Sequence, residues 1–209
     1  MKIEITEYTK VIKDSTVLDR VTMVFEGGKI YGLKGKNGSG KTMLMRAICG
    51  LIRPTSGKVA INGEELGKDI SFPRSIGVLI EHPSFLPGES GYRNLKMLAD
   101  IGKGLSEEEI KTTLAEVGLD PEDKKAFKKY SLGMKQKLGI AAAIMEHPDI
   151  IILDEPINAL DQESVEKVKE LIIRERDRGA AIILACHDAE ELEYLADEIV
   201  QIQEGKILV

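Results

Sequence analysis

Eight consecutive residues constrain this chain more than any others: Gly35-Lys36-Asn37-Gly38-Ser39-Gly40-Lys41-Thr42. They fit G-x-x-x-x-G-K-[ST], a phosphate-binding loop pattern that works only between a strand and a helix. Both neighbours are present. Ile30-Tyr31-Gly32-Leu33 reads as a short strand entering the loop. Met43 to Cys49 reads as a helix leaving it, with Gly50 as its C-cap. The glycines let the backbone curl so that its N–H groups converge on phosphate oxygens. The helix N-terminus adds a dipole that favours an anion. Lys41 is then placed to reach the β- and γ-phosphates, and the Thr42 hydroxyl to bind Mg²⁺.

The remaining composition narrows the class. A chain of 209 residues is one domain with room for an inserted lobe. Its 31% charged and 43% hydrophobic residues are ordinary for a soluble globular protein. A net charge of −6 argues against a general nucleic-acid binder. The one dense basic stretch, Lys124-Lys125-Ala126-Phe127-Lys128-Lys129, follows Glu122 and Asp123 and reads as a solvated helix face. Cys49 and Cys186 lie far apart, in no metal-binding spacing, and read as small buried hydrophobes. The longest apolar run, Ala180 to Cys186, is seven residues, well short of the ~20 needed to span a bilayer. The sequence therefore reads as cytosolic, with any membrane role requiring a partner.

Taken in order, residues 2–8 and 17–25 read as strands, and Lys58 to Ile61 as another, closed by the hairpin signal Asn62-Gly63. Ser75 to Ile80 is a further strand. The texture changes between Pro83 and Lys129, where strand signals give way to helices over about 92–101 and 107–117, the second opened by the capping box Ser106/Glu109. A third helix is expected from Pro121. Helix returns over 134–145. The run Ile150-Ile151-Ile152-Leu153 and the run Ala180 to Ala185 read as strands buried on both faces, separated by an amphipathic helix over 162–176. A helix over 188–196 and two strands around Glu204-Gly205 complete the chain. Such alternation means an α/β fold with a mainly parallel sheet covered on both sides.

The second chemical element is Ile150-Ile151-Ile152-Leu153-Asp154-Glu155-Pro156. An apolar strand ending in acids presents carboxylates at the C-terminal edge of the sheet, where open α/β sheets bind ligands. Asp154 can there hold Mg²⁺, and Glu155 can polarise an attacking water.

With these residues in place, the chain resembles the nucleotide-binding subunit of an ATP-binding cassette (ABC) transporter along nearly its whole length. Further motifs of that family follow in order. Tyr130-Ser131-Leu132-Gly133-Met134-Lys135-Gln136 stands where the family has its LSGGQ signature, with Leu132 and Met134 departing from the pattern. The resemblance implies that Ser131 and Gly133 contact nucleotide held by an opposite subunit, although a Ser before a helix is also an ordinary N-cap. Asn158-Ala159-Leu160-Asp161 looks like the D-loop at the dimer contact; Asp161 can equally cap the helix that follows. His187 looks like the switch histidine that senses the γ-phosphate. Glu81 stands where most of the family has glutamine, and a carboxylate there can bind Mg²⁺ or position water. Glu81, with Pro83-Ser84-Phe85 and Gly91-Tyr92-Arg93-Asn94-Leu95, resembles the subgroup that exports bacitracin and lantibiotics and confers self-immunity. The aromatic on which adenine stacks in the family is displaced here: Tyr8 is off register, Tyr8 and Tyr31 read as structural, and Val11 or Ile12 is left to pack on the base.

The resemblance implies the ABC ATPase fold: a P-loop NTPase (RecA-like) core over 1–82 and 141–209, an N-terminal antiparallel β part, and an inserted α-helical subdomain over 83–140. It implies ATP and Mg²⁺ as ligands. It also implies a homodimer or heterodimer closing on ATP, a separate transmembrane permease subunit, no nucleic-acid partner, and a place on the cytoplasmic face of the membrane through that permease. The expected activity is hydrolysis of ATP to ADP and phosphate to drive transport, with a soluble ABC ATPase of an assembly complex as the alternative.

Overall fold

Every residue of two strands, Ile150–Asp154 and Ala181–Ala185, is buried. Their β-branched and small apolar side chains suit a sheet covered on both faces. The computed structural model describes residues 1–102 and 104–208. In chain order these form β1 (Lys2–Ile12), β2 (Ser15–Glu26), β3 (Lys29–Lys34), α1 (Lys41–Ile48), β4 (Ser56–Ile61), β5 (Glu64–Glu65) and β6 (Ile76–Leu79). Next come α2 (Gly91–Ile101), α3 (Glu107–Glu116), α4 (Leu132–Ile144) and β7 (Ile150–Asp154). The chain ends with α5 (Gln162–Asp177), β8 (Ala181–Ala185), α6 (Ala189–Leu195), β9 (Glu198–Gln203) and β10 (Lys206–Leu208).

The main sheet has the order β10-β9-β3-β8-β7-β6 and is parallel except at the β9–β10 hairpin. Side chains alternate along it. Ile150 and Ile152 join Ile183, α1 and the N-terminal strands in one core. Ile151 and Leu153 join Leu184, α4, α5 and the helical lobe in the other. The second sheet, β2-β1-β4-β5, is antiparallel, and its Ile3, Ile5, Phe25 and Val59 cover α1 from the far side. Asn62 and Gly63, both at positive φ, make the tight turn between β4 and β5.

Register fixes where the chemistry emerges. Leu33 on β3 and Asp154 on β7 both pair with Ala185 on β8, so three strands end level at one edge. The phosphate loop, Glu155 and His187 follow directly from those ends.

The helical lobe departs from expectation first at Pro121. No helix starts at Pro121. Asp120 accepts the N–H of Glu122 and Asp123 that of Lys125, turn bonds that compete with a helix ladder. The segment instead closes in a short 3₁₀ turn, Phe127–Lys129, whose first two N–H groups reach back to Glu89 and Pro87. The basic stretch is thus mostly irregular surface rather than one face of a helix. Helix α4 begins two residues earlier than periodicity placed it, because Ser131 caps it by accepting the N–H of Met134. The expected subdomain boundary at 140 falls inside this helix, which packs on β6 and β7.

Candidate functional site

Ser90, Ser106, Ser131, Asp161 and Asp188 cap α2 to α6, each accepting a backbone N–H of its helix's first turn. Helix α1 starts differently. Its N-cap is Gly40, at φ 112°, with no side-chain acceptor. The orphan donors of its first turn are left to a ligand. They face a cavity of about 770 Å³ lined by Asn37 to Met43, Asp154, Glu155 and His187. Ser15, Thr16, Val17, Glu204 and Gly205 complete its walls.

The loop is built for close backbone approach. A Cβ on Gly35 would lie 2.3 Å from the Ile202 carbonyl oxygen and 2.6 Å from Ser39 Oγ. Gly38 and Gly40 adopt left-handed φ. The backbone of Gly205 donates to Ser39 at 2.8 Å and clamps the loop from β10's side. Lys41 is buried, and its Nζ donates to the carbonyls of Gly35 at 2.6 Å and Lys36 at 3.3 Å. Ser39 Oγ is buried without a hydrogen-bond partner. A buried hydroxyl without a partner is costly in a dry protein and is satisfied by an anion in the loop. The cradle therefore fits a phosphate group.

The Thr42 hydroxyl donates to Asp154 Oδ2 at 2.8 Å. These two oxygens, one neutral and one charged, are hard donors of the kind Mg²⁺ takes alongside phosphate oxygens and water. The donor set fits that ion.

Glu155 follows β7 in a left-handed conformation, φ 54°. The turn aims its carboxylate sideways across β8. There Oε2 accepts the N–H of His187 at 2.9 Å, and the His187 ring lies 3.4 Å from Oε1. Burial raises the Glu155 carboxyl above its ordinary value; the His187 N–H and charge and the Lys41 ammonium oppose the rise, and Asp154 adds to it. Such a carboxylate is suited to accepting a proton. Gln136 on α4 donates to the carbonyls of Glu155 at 2.8 Å and Pro156 at 3.2 Å, bracing that strained turn.

Expected residues thus fall in two groups. Asn37 to Thr42, Asp154, Glu155 and His187 line the cavity; Gly35 and Lys36 do not, but their carbonyls accept from Lys41. Ser131, Gly133, Asp161 and Glu81 stand outside it. Ser131 and Asp161 act as helix caps within this chain. Gly133 lies against Ala159, where a Cβ would come within 2.9 Å of its carbonyl oxygen. Glu81 pairs with Arg46 on α1 at 2.5 Å and lines a smaller cavity of about 140 Å³ beside Asp154 and Glu155. Tyr8 and Tyr31 are buried and structural: the Tyr8 hydroxyl, pushed up to about 12 by burial, donates to Ile52, and Tyr31 meets Phe25 edge-on. Ser15, Thr16 and Val17 line the cavity, and Val11 and Ile12 do not. Gln136 as a brace, Arg46 as the partner of Glu81, and Gly205 as a clamp were not foreseen. Gln136 alone lay in a motif already singled out.

Comparison with known proteins agrees with this geometry. A family model described as ABC transporter matches residues 18–158. An uncharacterised ABC transporter ATP-binding protein of Bacillus subtilis, YybJ, is 47% identical over 98% of this chain and 94% of its own. The bacitracin transport ATP-binding protein BcrA of Enterococcus faecalis is 39% identical over 99% of this chain and 68% of its own. Among solved structures, an ATP-binding subunit of an ABC transporter superposes with a TM-score of 0.89 at 29% identity, covering 100% of this chain and 89% of that one. The chain belongs to the ABC transporter family, as one of its ATP-binding subunits.

Proposed function

We propose that this ATPase subunit drives export of a bacitracin-like peptide antibiotic through a separate transmembrane subunit, working as a pair of cassettes that close on ATP. The observation that carries the catalytic part is the convergence of Glu155, His187, Asp154 and the Gly38–Thr42 loop on one cavity. In this reading the N–H groups of the loop and α1 hold the triphosphate. Lys41, freed from the Gly35 carbonyl, turns to the transferring phosphoryl group and offsets the charge that develops there. Glu155 orients a water and takes its proton. His187, its backbone tied to that carboxylate, presents its ring to the γ-phosphate. Thr42 and Asp154 would hold Mg²⁺, which when bound would offset charge on the phosphate oxygens.

Ser131, Gly133 and Asp161 lie apart from the cavity of their own chain, which supports a role across a dimer. Glu81 is read as the link between the nucleotide and the transmembrane subunit, able to leave Arg46 for metal or water. The export reading rests on the Glu81 loop, the Tyr130–Gln136 segment and the likeness to BcrA. A cytoplasmic position on the membrane follows from the permease partner; no helix among the described residues is long and apolar enough to cross a membrane.

Phosphate release from ATP by purified chain with Mg²⁺, beside Lys41→Ala, tests the hydrolytic reading. Loss of activity in the variant is expected; equal rates would remove the cavity from the reaction. Deleting the chain in its host and measuring growth against bacitracin tests the cargo. Unchanged tolerance would overturn the assignment to that class of peptide.

A further inference from the structure

His187 holds its place at the cavity through more than its bond to Glu155. It leads into α6, a helix of seven residues. Asp188 caps that helix by accepting the N–H groups of Glu190 at 2.9 Å and Glu191 at 3.2 Å. The Glu191 carboxylate in turn turns inward. Its Oε2 forms an ion pair with Nζ of Lys169, in the middle of α5, at 2.5 Å, a contact of opposite charges without hydrogen-bond alignment. Lys169 is only 7% exposed, and few lysines are so buried without a purpose. Glu166 meets the same ammonium at 2.9 Å, and the Tyr194 ring stands over it at 4.6 Å. The charges facing Lys169 thus come from α5 itself and from α6. The other ion pair of α6 in the described residues, Lys34 with Glu193 at 2.8 Å, is exposed at both ends and therefore weak.

We propose that Lys169 is a positioning residue of the ATPase: its buried ammonium ties Glu191 to α5 and so fixes the first turn of α6, and with it His187, against Glu155. A chain of contacts runs from Lys169 to Glu191, from the Glu191 N–H to Asp188, and from the neighbouring His187 to Glu155. Asp161 caps the same helix α5, so the segments that follow β7 and β8 are joined by one buried charge. Misplacing a group at the reacting atoms by about 1 Å can cost on the order of 10²-fold in rate. Neutralising Lys169 therefore acts on kcat and spares KM. The proposal rests on the hydrolytic reading above, and its test separates the two.

The test measures steady-state ATPase of Lys169→Met, Lys169→Arg, Glu191→Gln and the Lys169→Met/Glu191→Gln pair, with melting temperatures alongside. Lys169→Met is expected to lose about tenfold in kcat at unchanged KM for ATP. Lys169→Arg restores most of the rate, and the double variant is no slower than the worse single. NMR of the His187 ring protons gives a readout independent of turnover, and its signals are expected to shift in Lys169→Met and return in Lys169→Arg. An unchanged kcat with unshifted ring signals would overturn the proposal, as would losses in the two single variants that simply add. Should Lys169→Met fail to fold, Glu191→Gln and Lys169→Arg carry the same comparison. Should wild-type chain release no phosphate, the hydrolytic reading falls, and the His187 signals still decide the role of Lys169.

Discussion

Thr42 and Asp154, 112 residues apart, meet at 2.8 Å across the edge of the parallel sheet. The bond ties the first turn of α1 to the end of β7 before any ligand arrives. Replacing Thr42 with Val leaves Asp154, itself only 9% exposed, short of a donor. The expected cost in stability is about 1–2 kcal/mol, read from chemical denaturation without nucleotide. The same variant should need a much higher Mg²⁺ concentration for half-maximal ATPase. A wild-type Mg²⁺ dependence would remove Thr42 from the metal site.

Glu155→Gln keeps the shape of the side chain and its bond from the His187 N–H, and removes the carboxylate proposed as the base. ATP should still bind with near wild-type affinity, while kcat falls by about 10²–10³-fold. Nucleotide binding by fluorescence and turnover by phosphate release separate the two effects. Sedimentation of this variant with saturating ATP should show a dimer; an unchanged monomer would count against closure of two cassettes on ATP.

Gly77 sits in β6 directly beneath α4. A Cβ there would come within 1.6 Å of the Ala143 carbonyl oxygen, a backbone atom that cannot rotate away. Gly77→Ala must push α4 off the sheet, at an expected cost of about 3 kcal/mol or more. A denaturation midpoint close to wild type would show that the helix shifts freely, and that the lobe is less tightly fixed to the core than this contact requires.

Glu116 on α3 and Arg174 on α5 form a two-pronged pair at 2.6 and 2.7 Å. The Arg174 guanidinium holds the Glu116 carboxyl below its ordinary value. A depressed folded-state value means that the pair stabilises the protein above the unfolded carboxyl value of about 4.3, and that this contribution disappears as pH falls through the folded one. The difference in melting temperature between wild type and Glu116→Gln should be flat from pH 8 to about pH 5 and close below about pH 4. A difference that persists in acid would assign the effect to packing instead of charge.

The sequence made the site's centre legible because its parts are consecutive. A glycine loop, an apolar strand ending in acids and a histidine after a second apolar strand each carry their geometry in a few neighbouring residues. The order of the elements was equally plain where periodicity was strong, as in α5 and β8. Pro121 misled because a helix signal in the first turn says nothing about the Asp120 and Asp123 side chains that capture the next N–H groups. What stayed hidden was contact between distant segments. Nothing around Gln136 announces that its amide braces the turn at Glu155, and nothing around Arg46 announces Glu81. Lys169 was a further case: its spacing from Val165, Val168 and Ile172 puts it on the buried stripe of α5, but only Glu191 and Tyr194 on α6 and Glu166 on α5 show what its ammonium meets there.

The level ending of β3, β7 and β8 has a consequence for what this chain can tolerate. The spacing between the phosphate loop, the Glu155 carboxylate and His187 is set by a count of residues along hydrogen-bonded ladders. One residue removed from β8 would draw His187 back by about 3.3 Å and turn it to the opposite face of the sheet. The helical lobe can lengthen, shorten or reshape its loops while that count stands. The machine's tolerances are thus written in integers at its centre and left open at its rim.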